Sequence, residues 1–257
     1  MTLTMLTRRI GTATCAVFRS FTHPTLMMAI ALAFSTAFAR ADSVYVINGN
    51  GQFGTINLGT GSFQQIGPDL AEPGTGLVPG PAGSLLTLGI SGNLDAINPA
   101  TGAMSVIGPT GLADCSTPAS ACGPNSANTI SRLGATWYVT DFANNLYTVD
   151  PFTARTTLIG PTGMPAVPFV PFSENPDGTL NFFGEALFDA NSTLYATFDT
   201  GTLNPKSGAI TPTMGDHLYQ IDPTTGNATI IAPTAFALDT VVGINGTFYA
   251  FTEFRII

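Results

Sequence analysis

The sequence predicts an all-β, β-propeller-like fold of about four to five four-stranded antiparallel blades, whose C-terminal end reads either as cut short, as an irregular closing blade or as an edge for a partner chain. Three observations lead there. One stretch recurs four times: FGTINLGTGSFQQIGP (53–68), LDAINPATGAMSVIGP (94–109), LYTVDPFTARTTLIGP (146–161) and LYQIDPTTGNATIIAP (218–233). Polarity comes from Gly, Thr, Asn, Ser and Pro, which are turn and strand residues and poor helix formers. No segment keeps a long 3.6-residue apolar period, so helices are not expected outside the N-terminal region.

Each copy reads as two strands around a tight turn. Asn57, Asn98, Asp150 and Asp222 open equivalent turns, and each copy ends on Ile followed by Gly67, Gly108, Gly160 or Ala232. In Asp222-Pro223-Thr224-Thr225-Gly226 the aspartate can accept backbone N–H groups. The proline presets φ near −65°, and the glycine takes the left-handed conformation. Ala154 replaces that glycine in the third copy, where a strained or differently shaped turn is expected. A strand precedes each copy, around Tyr45, Leu86, Tyr138 and Tyr195, with a further one ahead of the last three. Four strands per unit, repeated along a chain, are the propeller signature. Strands such as LYTVD and TIIAP look apolar on both faces, as blades sandwiched between neighbours should. The fourth copy carries an insertion within about 200–216, expected as a long loop.

The N-terminal 41 residues are a different kind of text. Arg8, Arg9 and Arg19 precede any acid, an apolar run fills 26–39, and Ala39-Arg40-Ala41 offers a signal-peptidase site. The run is shorter than the ~20 residues that span a bilayer. The reading is a signal peptide, 1–41, followed by one repeat domain, 42–257, secreted or periplasmic, with no stable membrane span after cleavage. Cleavage removes four of the eight basic residues and none of the sixteen acids, leaving a net charge of −12. Such a surface repels nucleic acid. Charged residues make up only 9% of the chain, against roughly 25% in ordinary soluble domains.

Cys115 and Cys122 lie in a loop-like stretch, ADCSTPASACGPNS. In an exported chain they are expected to form a disulfide. Chain entropy alone assigns so short a loop roughly 2.5 kcal/mol. A two-cysteine metal site is the alternative, but no histidine lies nearby.

The repeat wording L-Y-x-I-D-P-x-T-G-x-x-T-x-I-G resembles a group of secreted bacterial β-propeller repeat proteins, mostly domains of unknown function. The resemblance runs through the whole mature chain. Its motif is structural, so it implies the fold and leaves function to the loops.

In a four-stranded blade, the turn between strands two and three shares one end with the connection to the next blade. The longest segments, 68–76, 112–126, 161–180 and 200–216, all fall at those places. Loops on a rigid scaffold commonly carry function. The expected role is a non-catalytic binding or scaffold protein for a protein or glycan ligand. Asp114, Glu174, Asp177, Asp199, Asp216 and His217 lie in or beside these segments, and a metal-dependent propeller hydrolase or lactonase would draw on them. Solvated surface acids are the simpler account. No catalytic motif, phosphate loop or calcium loop is present, so no cofactor, metal ligand or catalytic residue is assigned. NPDG (175–178) reads as a turn. The apolar segment with Met164, Val167, Phe169, Val170 and Phe172 reads either as a plug for the blades or as a partner-gripping patch. A structural protein of the envelope or matrix is a third class.

Overall fold

The computed structural model describes residues 43–48, 50–113, 124–165, 175–204, 206–207, 210–233, 240–244 and 247–251. By its contacts the chain divides into two compact units: Met1–Tyr45 with Thr55–Gln64, and Val46–Gly54 with Gln65–Ile257. In the first, the described feature is the turn at Asn57. The Asn57 side-chain oxygen accepts the N–H groups of Gly59 (2.9 Å) and Thr60 (3.0 Å), and Gly61 donates to the Asn57 carbonyl at 2.7 Å.

The strands follow the chain as meanders. β1 (Ser43–Ile47), β2 (Phe53–Asn57) and β3 (Phe63–Gln65) form a sheet in that order. β4 (Gly74–Pro79), β5 (Leu85–Gly89), β6 (Asn93–Ile97) and β7 (Met104–Pro109) form the next. Then come β8 (Ala127–Leu133), β9 (Thr136–Asp141), β10 (Asn145–Val149) and β11 (Thr156–Pro161). β12 (Leu180–Ala190), β13 (Thr193–Leu203), β14 (Ile210–Ile221) and β15 (Ala228–Pro233) form the last four-stranded sheet. β16 (Thr240–Ile244) and β17 (Thr247–Phe251) pair with each other. The only helical turn among the described residues is a 3-10 turn at Pro81–Gly83.

Within the second unit, the first strands of successive sheets are neighbours: β4 lies against β8, β8 against β12, and β12 against β16. Sheets that meet along their first strands fan out from a common line, which is the propeller arrangement. Apolar side chains fill the spaces between blades. One cluster contains Leu86, Leu88, Leu94, Ile130, Val139 and Ala154. The next contains Tyr138, Leu146, Met164, Leu194, Phe198 and Ile221. Each large side chain so buried contributes about 1.5–3 kcal/mol.

The repeated glycines lock one blade to the next. A Cβ on Gly102 would overlap the carbonyl of Ile66, and one on Gly67 would overlap that of Thr101. Two interfaces further on, a Cβ on Gly160 would lie 2.7 Å from the Thr225 carbonyl, and one on Gly226 2.9 Å from the Gly160 carbonyl. The glycine ending one copy thus touches the turn of the following copy. That is why both positions recur together. The turns also keep the predicted chemistry: Asp222 Oδ1 accepts from Thr224 N (2.8 Å) and Thr224 Oγ1 (2.7 Å), and Gly226 sits at φ +85°. The substituted copy keeps the same shape. Ala154 adopts φ +62°, and its N–H donates to the Asp150 carbonyl at 2.8 Å, as Gly226 does to Asp222. The expected strain is present and the altered shape is not. The methyl group is fully buried against Gly108, which offsets the strain.

Two expectations change. The insertion at 200–216 is not a loop: β13 and β14 simply run on, paired from Leu194↔Ile221 out to Leu203↔Ile210. Nor are all strands covered on both faces. The fourth strand of each blade is its outer edge, and Val106, Leu158 and Ile230 at equivalent positions are 57–61% exposed. Beside each the register slips, at Leu94/Asp95, Leu146/Tyr147 and Leu218/Tyr219. Such bulges break up an edge that would otherwise template pairing with another chain.

Candidate functional site

Registers fix which connections share an end. In the β8–β11 sheet, Ala127 lies opposite Asp141 and Asn145 opposite Pro161, while Leu133 faces Thr136 and Val149 faces Thr156 at the other end. The β4–β7 and β12–β15 sheets repeat this. Among the described residues the second end carries only tight turns, such as Asn191-Ser192, where φ values of +49° and +61° give the paired left-handed residues of a hairpin turn. The connections 66–73, 110–126, 162–179 and 204–209 all leave from the first end. The placement of 68–76, 112–126 and 161–180 agrees with the sequence expectation, while 200–216 reaches the same end as a lengthened hairpin.

The connections start alike. Thr110 hooks Gly92 through N–H (3.0 Å) and Oγ1 (2.6 Å), both reaching the Gly92 carbonyl. Thr162 hooks Asn144 in the same way at 2.9 and 2.7 Å. The next apolar residue then turns inward. Met164 is buried in the cluster between the third and fourth sheets. Val167, Phe169, Val170 and Phe172 lie outside the described residues, as do Asp114, Glu174, Cys115 and Cys122.

Beneath the loops sit buried carboxylates. Asp141 ends β9 and is fully buried. It accepts from Asn145 N (2.8 Å), Asn145 Nδ2 (2.9 Å) and the Tyr147 hydroxyl (2.8 Å). Burial first, and then the bond to Asp141, push the Tyr147 phenol up to about 12. This network fixes the β9–β10 turn.

The equivalent turn in the β4–β7 sheet is built differently. Gly89 stands where Asp141 stands, and Asp95 stands where Tyr147 stands. Glu72, from the β3–β4 connection, supplies the missing carboxylate. Its Oε2 accepts from Ser91 N at 2.9 Å, and its Oε1 accepts from Ser91 Oγ at 2.8 Å. Asn93 Nδ2 donates to the same hydroxyl at 2.9 Å. Asp95 is fully buried, and no donor among the described residues reaches either of its oxygens. It faces Glu72 instead. Burial first, and then the Glu72 charge, raise the Asp95 carboxyl to about 7. At neutral pH the Asp95 carboxyl is therefore only partly ionised.

The other acids singled out from the sequence are placed as follows. Asp177 caps its own turn: Thr179 Oγ1 (2.7 Å) and Thr179 N (3.0 Å) donate to it and hold its carboxyl below the usual range. Asp199 and Asp216 fall in the irregular step of the β13–β14 register between Phe198↔His217 and Thr200↔Met214. His217 is half-buried beside Tyr219, with ring centroids 6.1 Å apart. Among the described residues, no group of three or more His, Cys, Asp or Glu side chains could hold a metal ion. A cleft of about 260 Å³ lies at the tight-turn end, lined by Leu133, Ser192, Thr193 and Gln220 among others.

No family model matches the chain, and no curated protein matches it. Solved structures do. The extracellular domain of a protein assigned to a one-component system of B. thetaiotaomicron is 11% identical, with a TM-score of 0.40 over 84% of this chain and 31% of that one. BamB from Moraxella catarrhalis is 19% identical, with a TM-score of 0.37 over 81% of this chain and 66% of that one. A catalytically inactive virginiamycin B lyase from Staphylococcus aureus, with quinupristin, is 12% identical, with a TM-score of 0.39 over 82% and 78%. The chain thus spans about a third of the first and just under two thirds of the second. At these scores the likenesses carry no weight below, and the fold rests on the chain's own sheets.

Proposed function

We propose that the chain is an exported, non-catalytic binding or scaffold protein that engages a protein or glycan ligand through the long-connection end of its blades. The observation that supports this is the segregation of connections. Among the described residues one end holds tight turns, and the connections 66–73, 110–126 and 162–179 leave from the other, the last two starting at the Thr110 and Thr162 hooks. A rigid frame with variable loops at one end suits recognition. The signal-like N-terminus and the acidic mature surface favour a secreted or periplasmic site and disfavour nucleic acid. No helix among the described residues is long and apolar enough to cross a membrane.

The second reading, a metal-dependent hydrolase, draws on Asp199, Asp216 and His217, which the β13–β14 register brings to one short stretch. Purified residues 42–257 should be screened against a glycan array and against solubilised envelope proteins, with lactone hydrolysis measured in parallel. Saturable binding without turnover is the expected result. Calcium-dependent turnover lost in His217→Ala would replace the binding reading with the hydrolase one.

A further inference from the structure

We propose that Glu72 and Asp95 form a site for a divalent cation of the calcium type, held between β5, β6 and the β3–β4 connection. Asp95 carries the inference. It is fully buried, and no donor meets either of its oxygens. Neither acid has a basic partner among the described residues. A buried carboxyl in that position needs a proton or a metal ion.

The space is shaped for the two acids. Gly89 has no side chain between them: a Cβ there would lie 2.5 Å from Glu72 Oε1 and 2.7 Å from Asp95 Oδ2. The aspartate found at this β9 position in the following blade could not coexist with them. Ser91 fixes Glu72 by two hydrogen bonds, and each Glu72 oxygen keeps a second lone pair. The donor set is carboxylate and hydroxyl oxygen only, with no nitrogen or sulfur. That set suits calcium or magnesium rather than zinc or copper. Calcium takes six to eight oxygens, and Glu72 is only half-buried, so water can complete the shell. Thr87, opposite Asp95 on β5, does not donate to it, because its hydroxyl proton goes to the Gly76 carbonyl at 2.7 Å.

The site differs from the Asp199, Asp216 and His217 group, and it does not depend on the binding reading above. Its structural consequence is specific. The cation would tie the connection 66–73, through Glu72, to the second blade.

The test uses mature protein stripped with EDTA, then melted at pH 8 with and without calcium chloride, alongside Asp95→Asn and Glu72→Gln. At a calcium concentration about a hundredfold above the dissociation constant, the wild-type melting temperature should rise by about 5–10 °C. Calorimetric titration should show one ion per chain. Both variants should fold and lose the response, and Asp95→Asn should melt no lower than the metal-free wild type. A wild-type protein indifferent to calcium at pH 8, yet stabilised by acidification in an Asp95-dependent way, would show a shared proton only and overturn the proposal. A calcium response undiminished in both variants would also overturn it, by placing the ion elsewhere.

Discussion

Raising the pH from 5 to 8 in EDTA should weaken the fold, and Asp95→Asn should abolish that loss. The Asp95 carboxyl lies at about 7, against an ordinary 3.8. The native state therefore holds this proton more tightly than the unfolded chain does. The resulting stabilisation is complete below about pH 4, declines as the pH rises, and is gone above about 7. At ~1.36 kcal/mol per unit, the two units between pH 5 and 7 bound the loss at about 3 kcal/mol. Water reaches the half-buried Glu72 and screens part of this, so about 1–3 kcal/mol is expected. The assay is urea denaturation at half-unit pH steps, followed by circular dichroism. The asparagine has no proton to lose, so the variant isolates Asp95 from other groups titrating in this window. Asp150, Asp177 and Asp222 act with the opposite sign, because turn N–H and threonine hydroxyl donors hold them below 3.8. Their contributions are lost only as the pH falls below about 4, outside the window. A wild-type curve flat from pH 5 to 8, or an equal slope in the variant, would refute the carboxyl-pair account.

Three further outcomes follow from the packing. Gly102→Ala and Gly51→Ala both force alanine to a positive φ, +68° and +75°, at about 1–2 kcal/mol. Gly51 has open space around it, while Gly102 meets the Ile66 carbonyl, so urea midpoints should show a clearly larger loss for Gly102. Tyr147→Phe removes one of three donors to Asp141 and should cost about 1 kcal/mol, while ultraviolet titration should lose a phenol ionising near 12. Exchanging the exposed Val106, Leu158 and Ile230 for threonine should change stability by less than about 0.5 kcal/mol per site and raise solubility, checked by melting and by light scattering.

The fold was legible because the chain says the same thing several times. The turn residues Asn98, Asp150 and Asp222, and the paired glycines, mark both the hairpin and the contact with the neighbouring blade. One reading of a single copy would show only the hairpin. The insertion was misread as a loop because Gly, Pro, Ser and Thr in 201–213 look like turn residues, whereas the register of β13 with β14 depends on partners the local composition does not name. The exposed Val106, Leu158 and Ile230 were misread because alternation cannot tell a central strand from the outer one. The Glu72–Asp95 pair went unnoticed for a similar reason. Asp95 sits mid-strand and Glu72 sits in a connection, so neither forms a motif. A signal existed all the same: in the aligned copies an aspartate replaces the tyrosine of LYTVD and LYQID just where Gly89 replaces Asp141. His217 was visible by residue type alone, and its half-buried place beside Tyr219 was not.

The central claim is that ligands engage the long-connection end. Single cysteines introduced as Asp69→Cys, on the β3–β4 connection, and as Ala100→Cys, on the tight β6–β7 turn, can each be biotinylated, since both positions are exposed. Bound streptavidin then covers one end of the second blade at a time. Retention on the glycan or envelope protein found in the screen should be lost with the Asp69 block and kept with the Ala100 block. Loss from the Ala100 block alone would place binding at the tight-turn end and contradict the account.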